Sequence, residues 1–163
     1  MSRLRALSPM VLSLVLAAVP ALAQQSTGFG NAQDTKLPVE ITAQQLSVDQ
    51  KSGKATFSGN VLIGQGQMRL AADRVTVTYA QGDQRRISAL HAEGNVTMVS
   101  GEDAAEARVA DYDVESGNVI LTGDVLLTQS GNVLAGEKVT VDLETGTANA
   151  SGRVRSVLQP GSK

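Results

Sequence analysis

The chain has 163 residues, a formal net charge of −2, one histidine and no cysteine. Without cysteine there is neither a disulfide framework nor a thiol nucleophile, and a transition-metal centre would have to rest almost wholly on carboxylates. The slightly acidic balance argues against nucleic acid, which needs a basic face.

Arg3 and Arg5 open the chain, Met10 to Val19 is an uncharged apolar run, and Pro20 precedes Ala21-Leu22-Ala23. This order predicts a secretory signal peptide over residues 1–23, cut after Ala23. The apolar run is about half the ~20 residues that a membrane span needs. Loss of Arg3 and Arg5 leaves 12 Lys and Arg against 16 Asp and Glu, so the exported part should carry −4. Export without cysteine fits a bacterial periplasm. Residues 24–36 are polar, rich in Gly, Ser and Asn, and aperiodic, which predicts a flexible arm. Residues 37–158 make one domain, and 159–163 a short tail.

Within that domain one pattern recurs four times, starting at Ala43, Ala72, Ala107 and Gly136. Five residues on comes a pair: Val48-Asp49, Val77-Thr78, Tyr112-Asp113 and Val141-Asp142. A first glycine follows at Gly53, Gly82, Gly117 and Gly146. A second opens Gly59-Asn60-Val61, Gly94-Asn95-Val96, Gly123-Asp124-Val125 and Gly152-Arg153-Val154. The starts are 29, 35 and 29 residues apart, and the middle value reflects a six-residue insertion at 83–88 that should lengthen one loop. Asp49 to Gly53, Asp113 to Gly117 and Asp142 to Gly146 read as hairpin turns, with glycine at the positive-φ position.

Between turns the residues alternate, with Ala55, Phe57, Val61 and Ile63 on one face, and likewise Val119, Leu121, Val125 and Leu127. Period two and many β-branched residues predict eight antiparallel strands, at about 38–49, 54–63, 67–79, 87–99, 105–113, 118–128, 133–142 and 147–157. The second glycine of each unit falls mid-strand, on the apolar face, where glycine marks a bend. Four aligned bends would fold the sheet over on itself. The expected fold is therefore all-β: a twisted, V-shaped, open β-jelly roll of four strand-pair repeats. Large aromatics are scarce, so a closed eight-stranded barrel would be poorly filled. An apolar interior between two half-sheets suits an extended apolar ligand; the same pattern also describes a plain core. The two sheet edges invite head-to-tail pairing of copies through first and last strands.

Leu37-Pro38-Val39-Glu40-Ile41-Thr42-Ala43, Ala55-Thr56-Phe57-Ser58-Gly59-Asn60-Val61 and Ala72-Asp73-Arg74-Val75 resemble the LptA/OstA-like proteins of lipopolysaccharide transport. Val119-Ile120-Leu121-Thr122-Gly123-Asp124-Val125 repeats the same phrase. The resemblance covers residues 37–158. It implies a β-jelly roll that binds the lipid A part of lipopolysaccharide and bridges the periplasm. It also implies head-to-tail contacts with LptC-like and LptD-like jelly rolls. Family ligand contacts map onto Val39, Ile41, Tyr112 and Val114, and more weakly onto Met98. Together with the inward-facing pattern this gives a candidate apolar groove of Val39, Ile41, Phe57, Val61, Ile63, Val77, Met98, Tyr112, Val114, Leu121, Val125 and Val141. The insertion at 83–88 and the segment 99–105 depart from the family pattern.

No catalytic constellation and no cofactor motif emerges. His91 reads as a surface or inter-strand residue, and Asp111-x-Asp113 as turn chemistry rather than calcium ligation. Gly64-Gln65-Gly66 joins two strands, with no helix behind it to make a phosphate loop. Lys36, Lys54, Arg69, Arg74, Arg85, Arg86 and Arg108 read as solvated surface, or in part as a groove rim that meets ligand phosphates. The leading expectation is a non-enzymatic periplasmic lipopolysaccharide carrier. The alternatives are an LptC-like inner-membrane component and a ligand-free structural adaptor.

Overall fold

The computed structural model describes Phe29 and residues 32–159. The expected signal peptide and residues 160–163 lie outside the described residues.

The strands are β1 (Glu40–Thr42), β2 (Gln45–Asp49), β3 (Lys54–Gln65), β4 (Met68–Ala80) and β5 (Asp83–Ser100). They continue with β6 (Asp103–Asp113), β7 (Asn118–Gln129), β8 (Asn132–Asp142), β9 (Thr147–Ser151) and β10 (Arg155–Val157). All pair antiparallel in chain order within one sheet. The expected first and last strands are each split in two, so that β1 and β2 both pair β3, while β9 and β10 both pair β8. These are the edge strands. With only one neighbour to hold them, they break where the sheet bends, whereas β3 to β8 run through it.

The bend is a line of bulges. Gly94 (φ 79°) and Asn95 (φ 46°) are both left-handed, and the ladder skips them between Glu93↔Val109 and Val96↔Ala107, against the single residue Arg108. Two residues opposing one kinks the strand. Gly59-Asn60, Gly123-Asp124 and Gly152-Arg153 have the same left-handed pair. The glycines do not face the core, however. A Cβ on Gly94 would meet the Asp73 carboxylate, one on Gly123 would meet Arg108, and one on Gly152 would meet Glu137. These partners are exposed, so the missing side chains make room on the outer crease. Polar contacts run along it: Asn95 donates to Asp73 at 2.8 Å, Arg108 pairs with Asp124 at 3.0 Å, and Arg153 with Glu137 at 2.6 Å.

The crease divides the sheet into two limbs. One holds β2, Lys54–Ser58 of β3, and the matching halves up to β9. The other holds β1, Val61–Gln65 of β3, and the matching halves up to β10. Val75, Val77, Val119, Leu121, Val139 and Val141 from the first limb meet Val61, Ile63, Leu70, Met98, Val125 and Leu127 from the second in one apolar cluster. The turns follow the sequence. Asp113 Oδ1 accepts from the backbone N–H of Glu115 and Ser116 at 3.0 and 2.9 Å, and Asp142 accepts in the same way from Glu144 and Thr145. These contacts hold the Asp142 carboxyl below its ordinary pKa, chiefly through the Thr145 N–H.

The insertion does not widen a loop. It extends the β4–β5 hairpin, with Ala80 opposite Asp83 and Tyr79 opposite Ile87, so that residues 84–86 bulge out of the ladder.

Candidate functional site

The interior between the limbs is where the candidate groove residues converge. Val61, Ile63, Val77, Met98, Tyr112, Leu121, Val125 and Val141 are each at most 2% exposed, and Val39, Ile41, Phe57 and Val114 pack half-buried against them. All twelve share one cluster: ten follow the period-two alternation of their strands on the inner side of the crease, and Val39 and Val114 flank the ends of β1 and β6 on that side. In this state the cluster is packed side chain to side chain, so the V is closed along most of its length.

Closure is not uniform. Leu46 opposes Phe57 and Val48 opposes Ala55, so both lie on the inner face of β2, yet they are 58% and 63% exposed. The β1/β2 end of the interior is thus apolar and uncovered. The β9/β10 end is lined by smaller groups: Ala148 and Ala150 oppose Val141 and Val139, and Ser156 opposes Leu134.

The mouth opposite the crease is crossed by the segment that was expected to form an arm. Phe29 is buried in the core, and its N–H donates to Gly146 O. Gln33 donates its N–H to Leu143 O at 2.8 Å, accepts from Met68 N–H at 3.1 Å through its side-chain oxygen, and donates through Nε2 to Ser100 Oγ. It therefore ties the turn tips of one limb to those of the other. Gln65, 4% exposed, works alongside it: its Nε2 donates to the carbonyls of Thr35 and Leu37 at 2.7 and 2.9 Å, while Tyr112 Oη donates to its Oε1. Burial pushes the Tyr112 phenol up to about 12. Sequence reasoning missed Phe29, Gln33 and Gln65. The one signal for them was an aromatic residue inside an otherwise polar, glycine-rich stretch.

Beside this mouth lies a hollow of about 700 Å³. Its floor is Leu37, Val39, Ile87 and Val114, and Lys36, Arg85 and Arg86 stand around it with Glu115 and Glu144. His91 lies elsewhere, exposed on the first limb, with Nδ1 2.6 Å from Asp111 Oδ1. Among the described residues no group of three or more His, Cys, Asp or Glu side chains is placed to hold a metal ion, and no helix is long and apolar enough to cross a membrane.

A family model described as LptA/(LptD N-terminal domain) LPS transport protein matches residues 40–147. The lipopolysaccharide export system protein LptA of Escherichia coli is 32% identical over 135 residues, covering 79% of this chain and 72% of that protein. The LPS-assembly protein LptD of Neisseria meningitidis is 28% identical over 92% of this chain but 21% of its own length. The crystal structure of LptH, described as the LptA homologous periplasmic component of the lipopolysaccharide transport device of Pseudomonas aeruginosa, superposes with a TM-score of 0.68 at 23% identity. That match covers 78% of this chain and 99% of that one, and it shows the same fold.

Proposed function

The chain belongs to the family of LptA and the LptD N-terminal domain, and from that premise we propose that it is a periplasmic bridge protein that carries lipopolysaccharide between membranes. The acyl chains of lipid A lie between the limbs, against Val39, Ile41, Phe57, Val61, Ile63, Val77, Met98, Tyr112, Val114, Leu121, Val125 and Val141. The observation that carries the reading is the convergence of all twelve on one interior that is uncovered at its β1/β2 end.

Energetics favour one point of entry. Each buried CH₂ gains ~0.8 kcal/mol, so a 12-carbon chain gains roughly 10 kcal/mol before entropy losses. Inserting it mid-cluster would first require the limbs to part, at the cost of their own packing. At the β1/β2 end, Leu46 and Val48 already face water and Ile41 and Phe57 are half-buried, so a chain laid there displaces little. The limbs then open progressively from that end. Mass spectrometry of lipid extracted from freshly purified protein tests this. Lipopolysaccharide is the expected ligand; a lipid-free protein that shows no binding on its addition would overturn the proposal.

The two ends also suit head-to-tail assembly, both with copies of this chain and with LptC-like and LptD-like partners. Among the described residues β1 and β2 pair only with β3, and β9 and β10 only with β8, so each end presents an unpaired backbone edge. Both edges carry exposed apolar side chains: Leu46 and Val48 at one, Val154 and Val157 at the other. Light scattering should show growth with concentration, which Leu46→Lys with Val48→Lys abolishes. A monomer at every concentration would remove the self-assembly part. The tightly packed interior favours a second reading, an adaptor that polymerises without ligand. Filaments that form regardless of lipid, from protein that binds none, would select it.

A further inference from the structure

Only the second of the four repeats carries the 83–88 insertion, and it places two arginines beside the mouth of the interior. We infer that this bulged hairpin tip is a phosphate-holding rim, gripping the anionic head of a lipid whose chains enter between the limbs. The inference rests on the carrier reading and names the chemistry at one end of the same site.

Four observations carry it. First, residues 84–86 bulge out of the β4–β5 ladder between Asp83 and Ile87, so Arg85 and Arg86 sit in a bulge of β5 next to the hairpin turn at 81–82, without ladder partners. Secondly, that bulge borders the hollow with Lys36, three cations in a chain whose net charge is negative. Thirdly, the floor is continuous with the interior, because Val39, Ile87 and Val114 are the same side chains that pack against the buried cluster. Fourthly, the cations keep donors to spare. Arg85 meets Asp83 through Nε at 3.4 Å, and Arg86 meets Glu115 through Nη1 at 3.3 Å, each in an exposed pair, and among the described residues the remaining guanidinium N–H groups have no partner. Exposed pairs of this kind hold weakly. Lys36 has no ion pair among the described residues.

The acidic neighbours shape the ligand. Glu115 and Glu144 lie in the same hollow, and Glu144 accepts from Thr35 Oγ1 at 3.0 Å. They oppose any anion that gains nothing from the floor, so free phosphate is a poor fit. An uncharged amphiphile would use the floor and leave the guanidinium forks idle. A lipid-borne phosphate uses both: its oxygens accept charge-assisted bonds from Arg85 and Arg86, and its first methylenes cover Val39, Ile87 and Val114.

The test compares binding of rough lipopolysaccharide with binding of the same lipid stripped of its phosphates, in the wild-type protein and in R85A/R86A. Wild type should prefer the phosphorylated lipid, and the variant should lose about tenfold for each arginine removed, with the stripped lipid unaffected. R85K/R86K, which keeps the charge but not the fork, should retain part of the preference. Inorganic phosphate in large excess should not displace the lipid. The inference is overturned if wild type binds both lipids equally, if R85A/R86A keeps the full preference, or if that variant loses both lipids alike. It is also overturned if inorganic phosphate competes. Each of these outcomes leaves a wild-type protein that binds lipid, and so leaves the carrier reading standing. Failure of wild type to bind either lipid removes both.

Discussion

Replacing Gly94 by alanine tests whether the crease is what folds the sheet. Gly94 has φ 79°, where an L-residue costs ~1–2 kcal/mol. The new Cβ would lie 2.4 Å from Asp73 Oδ2, so the carboxylate must swing away and the 2.8 Å bond from Asn95 Nδ2 is lost. That bond adds ~1 kcal/mol, for a total of about 2–3 kcal/mol. Gly53→Ala is the control. Its φ is 63°, but nothing lies within 4 Å of the added Cβ. Both variants lose the same unfolded-state freedom, so that effect cancels in the comparison. Urea or thermal unfolding should place Gly94→Ala at least about 1 kcal/mol, or about 4 °C, below Gly53→Ala. Equal stabilities would refute the claim that outer-crease contacts hold the bend.

Three further outcomes follow from the interior and the turns. Ile41→Asp, at the half-buried end, should keep the fold and lose lipid binding, whereas Val125→Asp, 1% exposed, should unfold the protein by leaving a charge unpaired in the core; circular dichroism separates the two. Tyr112→Phe strips Gln65 Oε1 of its donor at a cost of ~1–2 kcal/mol. Because the folded phenol is raised to about 12, wild type should lose stability as pH rises from 10 to 12, and the Phe variant should lack that loss in alkaline melts. Asp142 has its pKa lowered by folding, so it contributes stability above the ordinary carboxylate pKa that vanishes as pH falls through the lowered one; Asp142→Asn should flatten the acid limb of the melting curve.

Much of this architecture was legible because it is local and repeated. Alternation in Val119, Leu121, Val125 and Leu127 fixes an inner face, and Asp142 to Gly146 fixes a turn, whatever the rest of the chain does. What was not legible depends on distant partners. Gln44, Asp73, Arg108 and Glu137 occupy the same place in each repeat, one residue after its start, but share no side-chain chemistry, so the polar crease left no visible pattern. Phe29 and Gln33 have no periodicity, and their burial is decided by turns more than a hundred residues away, at Leu143 and Gly146. The insertion read as loop because it breaks the repeat, yet backbone pairing to Tyr79 and Ala80 recruits it into β5. An open groove and a packed interior have the same alternation, so sequence alone could not choose between them.

Methyl-resolved NMR of the protein with acyl-labelled lipopolysaccharide tests the central claim most directly. Contacts from the acyl chain should reach the inner methyls of Val39, Ile41 and Ile63 and spare Leu62 and Leu126, which face outward on the same strands or the same limb. Acyl contacts to Leu62 or Leu126, with the inner methyls silent, would contradict it.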